Sequence, residues 1–159
     1  MINKKTLSSL AILGFMINGC VNSFSNQMNV QNENLEKQYM PIRLYKTTST
    51  NNADIYESDW AGEKGKSIAL NSKLLYSDVL KAFKQGCGFE ESDLVETRIV
   101  SHKIPVFYEV WVFKDAMSKR KDKTSGLSVV LTQLPNGGGV DIYFYGKCHS
   151  EPMRFVFTK

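Results

Sequence analysis

Apolar and polar residues change rhythm several times along this chain, and each rhythm predicts an element. From Leu94 onward, Val95, Thr97 and Ile99 alternate with Glu96 and Arg98, the two-residue period of a half-buried strand. Val106 to Phe113, VFYEVWVF, is β-branched or aromatic on both faces, which predicts a central strand. Leu127 to Leu134 alternates in the same way. The run Pro135-Asn136-Gly137-Gly138-Gly139 is then a hairpin turn signal. Val140, Ile142 and Phe144 return, and Met153, Phe155 and Phe157 suggest a last strand after Pro152. Upstream, Ile42 and Leu44 fit a strand within Met40–Lys46. The stretch Thr47–Gly65 reads as polar loop, with Trp60 packed back on the domain. Ser67–Leu70 reads as a further short strand.

One segment changes to helical spacing. Between Leu74 and Gln85, Val79, Leu80 and Phe83 fall on one face with Ala82 beside them. Ser77-Asp78 suits the cap and first-turn carboxylate, and Gly86 suits the left-handed position that ends a helix. The predicted fold class is therefore α+β: one main helix packed on a mostly antiparallel sheet of about five or six strands. The 159-residue length supports one such domain, over 39–159. Ahead of it, Val21 to Gln38 is rich in Asn, Gln and Ser without a clear apolar period. That composition predicts a disordered tether, with a root-mean-square span of roughly 23–25 Å.

The first twenty residues have the layout of an export signal. Lys4 and Lys5 precede an apolar run from Leu7 to Ile17, and Asn18-Gly19-Cys20 follow as a small or polar cleavage zone. The run is shorter than the roughly 20 apolar residues that a membrane-spanning helix needs. Ile17-Asn18-Gly19-Cys20 resembles the lipobox of bacterial lipoproteins, an aliphatic residue, a small residue, Gly or Ala, then the lipidated Cys. Asn18 departs from that pattern at its second position. The resemblance covers the first 20 residues. It implies removal of a signal peptide over 1–19, a diacylglycerol thioether on Cys20 and a fatty acid such as palmitate on the new amino terminus. Two or more acyl chains hold a protein stably on a membrane. Val21, where many diderm bacteria place Asp to retain a lipoprotein in the inner membrane, implies the outer membrane, facing the periplasm.

Cysteine parity agrees with that resemblance. With Cys20 lipidated, Cys87 and Cys148 remain as a pair in an oxidising compartment, where a disulfide bond is expected. Such a bridge would close a loop of about 60 residues, worth on the order of 4 kcal/mol. Cys87 follows the predicted helix directly, so the bridge would staple the helix end to a strand end. The net charge of +4 falls by two once Lys4 and Lys5 leave with the signal peptide. A balance that small does not argue for nucleic acid.

No catalytic constellation emerges. His102 and His149 are the only histidines, and His149 adjoins Cys148, which leaves no free Cys–His pair in evident register. Cys87, Cys148, His102 and His149 show no recognised zinc spacing, so no metal and no cofactor is expected. Glu109 interrupts an apolar strand beside Trp111, either as a buried partner for Arg98, as a binding group, or as an exposed sheet position. Tyr143 and Tyr145 share a strand face that is either an open recognition surface or covered by another layer. Lys114–Lys123, which includes Lys119, Arg120 and Lys121, reads as a basic hairpin loop.

These residues support two expectations. The first is a non-enzymatic, membrane-tethered module that binds another envelope protein, an inhibitor or immunity protein being one variant. Its surface would draw on Glu109, Trp111, Tyr143, Tyr145, Lys119, Arg120 and Lys121. The alternative is an envelope enzyme or small-ligand carrier using Glu109, Arg98 and the tyrosines.

Overall fold

The computed structural model describes residues 22–159, with side chains from Phe24 onward. The expected signal peptide and the lipidated Cys20 lie outside the described residues. The chain is α+β. In order it forms α1 (Asn22–Lys37), β1 (Ile42–Ser49), β2 (Ala53–Trp60), the two-residue β3 (Glu63–Lys64), a 3-10 turn (Ile68–Asn71) and α2 (Lys73–Cys87). Then follow β4 (Leu94–Lys103), β5 (Val106–Lys114), β6 (Thr124–Gln133), β7 (Val140–Tyr145) and β8 (Arg154–Thr158). Two antiparallel sheets result, a five-stranded one in the order β3-β4-β5-β6-β7 and a three-stranded one in the order β1-β2-β8.

The larger sheet carries the predicted helix. Val79 and Phe83 of α2 are buried against Trp111 and Phe113 of β5 and Leu127, Val129 and Leu131 of β6. The Phe83 ring lies 4.7 Å from Phe113 and 5.0 Å from Phe144, between ring centroids. The opposite face of the same strands, Tyr108, Val110, Val112 and Val130, packs on Trp60 and Ala61. Burial on both faces is what the apolar and aromatic residues on both faces of 106–113 predict. Gly126 is required there: a Cβ on it would stand 2.7 Å from the Trp60 ring, which lies directly on the β6 backbone.

Helix α2 starts and ends differently from expectation. Ser72, not Ser77, is the cap, and its hydroxyl accepts from the Leu75 amide at 3.3 Å. Gly88 (φ 77°), not Gly86, takes the left-handed position, donating its amide to the Lys84 carbonyl at 3.0 Å. Cys87 is thus the last helical residue, and its sulfur is bonded to that of Cys148, just beyond β7. Ser67–Leu70 is not a strand. The Ser67 hydroxyl accepts from the Ala69 amide and the Glu109 carboxylate from the Ile68 amide, which turns the backbone into the 3-10 conformation.

Two segments read as unstructured from composition are regular. Residues 22–37, expected as a disordered tether, form α1. Phe24, Met28, Asn32 and Leu35 fall on one helical stripe, and Met28 is buried with Leu44 and Tyr56 of the smaller sheet. The helix closes with the Met40 amide on the Leu35 carbonyl and the Tyr39 amide on the Glu36 carbonyl. This places Tyr39 at φ 53°, where glycine usually stands. Tyr39 holds that conformation while its ring packs on Tyr108 and Tyr145, at 5.2 and 5.3 Å. Within the expected loop 47–65, β2 forms because Asp54, Tyr56, Ser58 and Trp60 share one strand face. Two of those four are polar, which hides the alternation.

Candidate functional site

The residues first expected to bind do not come together. Glu109 is fully buried on the α2 side of β5, as is Trp111. Its carboxylate accepts from the Ile68 amide at 2.7 Å and the Trp111 indole at 3.0 Å, and His102 Nε2 lies 2.9 Å away. Glu109 thus ties the 3-10 turn to the sheet, and neither it nor Trp111 forms part of a surface. Arg98 is not its partner. Register places Arg98 opposite Val110 and Ile99 opposite Glu109, so Arg98 points to the other face. There it bonds Glu96 at 2.6 Å and the Trp60 carbonyl at 3.1 Å.

Tyr143 is half exposed, whereas Tyr145 packs against Tyr39. Their register partners Val130 and Ser128 put both tyrosines on the face opposite α2, which the Tyr39–Trp60 layer partly covers. The basic loop connects β5 to β6, as expected. Lys119 pairs with Glu151 at 2.6 Å. The Arg120 guanidinium lies over the Trp60 ring at 4.2 Å and pairs with Asp59 and Asp122, both at 3.1 Å. Most of the charge attributed to a binding surface is therefore spent inside the molecule, and Lys121 stays exposed.

Asp115, Ser125 and His149 form a cluster with the residue types of a nucleophilic triad but not its order. The Asp115 carboxylate stands in the middle, taking the Ser125 hydroxyl at 2.6 Å, with His149 Nδ1 at 3.0 Å. The imidazole reaches the carboxylate and not the hydroxyl, so it is not placed to draw a proton from Ser125. Ser125 is buried and also accepts from the Ser150 amide at 2.8 Å. Burial alone would raise the Asp115 carboxyl. Hydrogen bonds from Ser125, His149 and the Met117 amide outweigh it and hold the group below the usual carboxylate range. The cluster pins the basic loop to the segment after Cys148.

A feature that the apolar pattern does not announce lies at the other end of the larger sheet. Ile68 before α2, Leu75 in its first turn, Phe107 of β5, Leu131 of β6, Leu134 and Val140 line a groove of about 410 Å³. A second hollow, of about 390 Å³, runs over Ile104, Pro105 and the 133–137 turn and shares Gln133, Leu134 and Gly137 with the first. Large apolar side chains stand in solvent on the segments that border them. Ile104 is 81 % exposed, Leu74 73 % and Leu70 50 %. The 3-10 turn, the first turn of α2 and the β4–β5 turn thus each keep an aliphatic side chain in water at the end of the sheet that holds the groove. The sequence signal was present in Ile104, an aliphatic residue in a tight hairpin, and in the Leu74-Leu75 pair, of which one helix face can bury only one member.

Among the described residues no three His, Cys, Asp or Glu side chains converge as metal ligands, and no helix is long and apolar enough to cross a membrane. No family model matches this chain, and neither the curated proteins nor the solved structures give a match.

Proposed function

We propose that this chain is a lipid-anchored envelope protein whose domain binds another protein and performs no chemistry of its own. The observation that carries the reading is the apolar groove, with Leu70, Leu74 and Ile104 standing in water on the segments that border it. The acid–base groups with most chemical potential, Glu109 with His102 and Asp115 with His149, are instead engaged with one another. Anchorage rests on the lipobox-like Ile17-Asn18-Gly19-Cys20, and Val21 favours the periplasmic side of an outer membrane.

Helix α1 alters what the anchor would do. Asn22 follows Cys20 by two residues, about 7 Å of extended chain. The Phe24 ring packs 5.2 Å from Phe157 of β8, beside the β1–β2 hairpin. A lipid on Cys20 would hold that end of the domain near the bilayer, and a partner would have to come to the membrane.

Site-specific photocrosslinking in the native envelope tests the reading. A crosslinker at Leu74 or Ile104 is expected to give a discrete protein adduct. Absence of adducts from these positions, and from Lys121 and Tyr143 as well, would sink the protein-binding reading. Intact mass of the same material decides the anchor: a mature chain without acyl groups removes it.

A further inference from the structure

We infer that the groove at the end of the larger sheet takes an acidic amphipathic segment of a partner protein, an apolar side chain entering the groove while carboxylates meet Lys66, Lys73 and Lys103. The inference rests on the protein-binding reading and names the chemistry of the partner.

Shape is the first argument. The apolar lining is concave, about 410 Å³ between the 3-10 turn, α2 and the β6–β7 turn. That volume suits one or two projecting side chains. Ile104 lines the adjoining hollow, and Leu70 and Leu74, on the segments that supply Ile68 and Leu75, add exposed aliphatic side chains to the same segments.

Charge is the second. Lys66 and Lys73 stand two residues before the lining residues Ile68 and Leu75, and Lys103 stands one before Ile104, so three of the segments that border this region carry a lysine. All three are exposed. Among the described residues none of them pairs with a carboxylate, although Lys46, Lys64, Lys84, Lys119 and Lys159 each do. Residues 1–21 contain no Asp or Glu that could neutralise them. Asp141, next to Val140, and Asp78, four residues beyond Leu74 in α2, are opposing charges on the bordering segments. Unpaired like charges around an apolar depression select a partner of opposite sign and speed its approach.

The test uses the full-length protein and three synthetic peptides. One has a central Leu between Glu residues, the second replaces Glu with Lys, and the third keeps Glu and replaces Leu with Ala. An environment-sensitive fluorophore on Ile104→Cys reads occupancy of the groove, and anisotropy of labelled peptide reads affinity. The Leu–Glu peptide is expected to bind and blue-shift the fluorophore, and the other two to bind at least tenfold more weakly. The variant Lys66→Gln/Lys73→Gln/Lys103→Gln, whose three positions are exposed and outside the core, is expected to lose about tenfold in affinity and most of its salt dependence. Equal binding of the Lys peptide, or full affinity in the triple variant, overturns the inference. So does a blue shift on phosphatidylglycerol vesicles without peptide, which would make the same end a membrane contact. If peptides fail while crosslinks arise at Leu74 or Ile104, the chemistry assigned to the partner is wrong and protein binding stands. If both fail, both readings fall.

Discussion

Helices α1 and α2 are nearly equal in length, 16 and 15 residues, and each lies on a sheet, but different forces hold them. Helix α2 buries Val79 and Phe83 in an aromatic layer, is capped at both ends and is bonded through Cys87 to Cys148, just beyond the edge strand β7. Helix α1 buries one side chain well, Met28, and exposes Val30. Its distinctive contact is polar. The Asn32 amide donates to the Leu44 carbonyl at 2.9 Å, and its carbonyl oxygen accepts from the Leu44 amide at 2.8 Å. Asn32 therefore satisfies the outward-facing amide and carbonyl of one residue of the edge strand β1 as a neighbouring strand would. Apolar area holds α2 in a way that tolerates small shifts, while α1 depends on the geometry of a few bonds. An isolated 16-residue helix is marginal in water, so α1 is the element expected to detach first.

Phe83→Ala strikes the stronger layer at its centre. It empties the space between Phe113, Trp111 and Phe144. The expected loss is about 3–5 kcal/mol of global stability, read from the midpoint of urea unfolding. If the loss is below about 1 kcal/mol, the aromatic layer is not what holds α2.

The double variant Cys87→Ser/Cys148→Ser tests how much of that contrast belongs to the bridge. It opens a loop whose ends are 61 residues apart. About 2–5 kcal/mol should be lost, chiefly because the unfolded chain gains freedom. Proton exchange of α1 relative to α2 should keep its order. If α2 comes to exchange faster than α1 after the bridge is removed, covalent closure and not packing separated the two.

Asn32→Ala addresses α1 directly. It removes both bonds to Leu44, a buried strand residue, and leaves one amide and one carbonyl without partners. A loss of roughly 1–3 kcal/mol is expected, confined to α1 and β1 in an exchange experiment. A uniform loss over both sheets would mean that the two layers unfold as one unit.

The same contrast explains what the sequence revealed. The larger layer was legible because its strands are apolar on one or both faces and α2 repeats apolar residues at helical spacing. Residues 94–145 therefore emerged with the right elements, and the Cys87–Cys148 pairing followed from parity. The smaller layer was not legible. Asp54 and Ser58 occupy inward positions of β2, and α1 presents a thin stripe in which Asn32 takes the place of an apolar residue. Composition registers Asn and Gln there as polar, but cannot show that one amide matches a strand edge. The expectation that Glu109 and Trp111 face a partner failed for a related reason. A carboxylate in an apolar strand has the same signature whether it meets a ligand or, as Glu109 does, caps the 3-10 turn and bonds His102 and Trp111.

Acid gives the smallest expected effect and reaches both layers. Asp54 in the smaller sheet takes a hydrogen bond from Ser49 and pairs with Lys46 at 2.9 Å and Lys159 at 3.2 Å, which hold it well below the usual carboxylate range. Asp115 in the larger layer is lowered as well, burial being outweighed by Ser125 and His149. For a carboxyl lowered in the folded state, the unfolded chain binds more protons between the two pKa values. Its stabilisation is complete above about pH 4, the unfolded value, and is lost as pH falls through the folded one. Asp54→Asn and Asp115→Asn should each flatten the fall in stability below about pH 4. The two should separate in salt. The Asp54 contribution comes partly from lysines on a solvated surface and should shrink in 1 M NaCl, where screening acts over about 3 Å. The Asp115 contribution rests on a buried hydroxyl and an adjacent imidazole, and should persist. Equal salt sensitivity of the two variants would mean that both carboxylates are screened alike, and that the contrast between the layers ends with their apolar contacts.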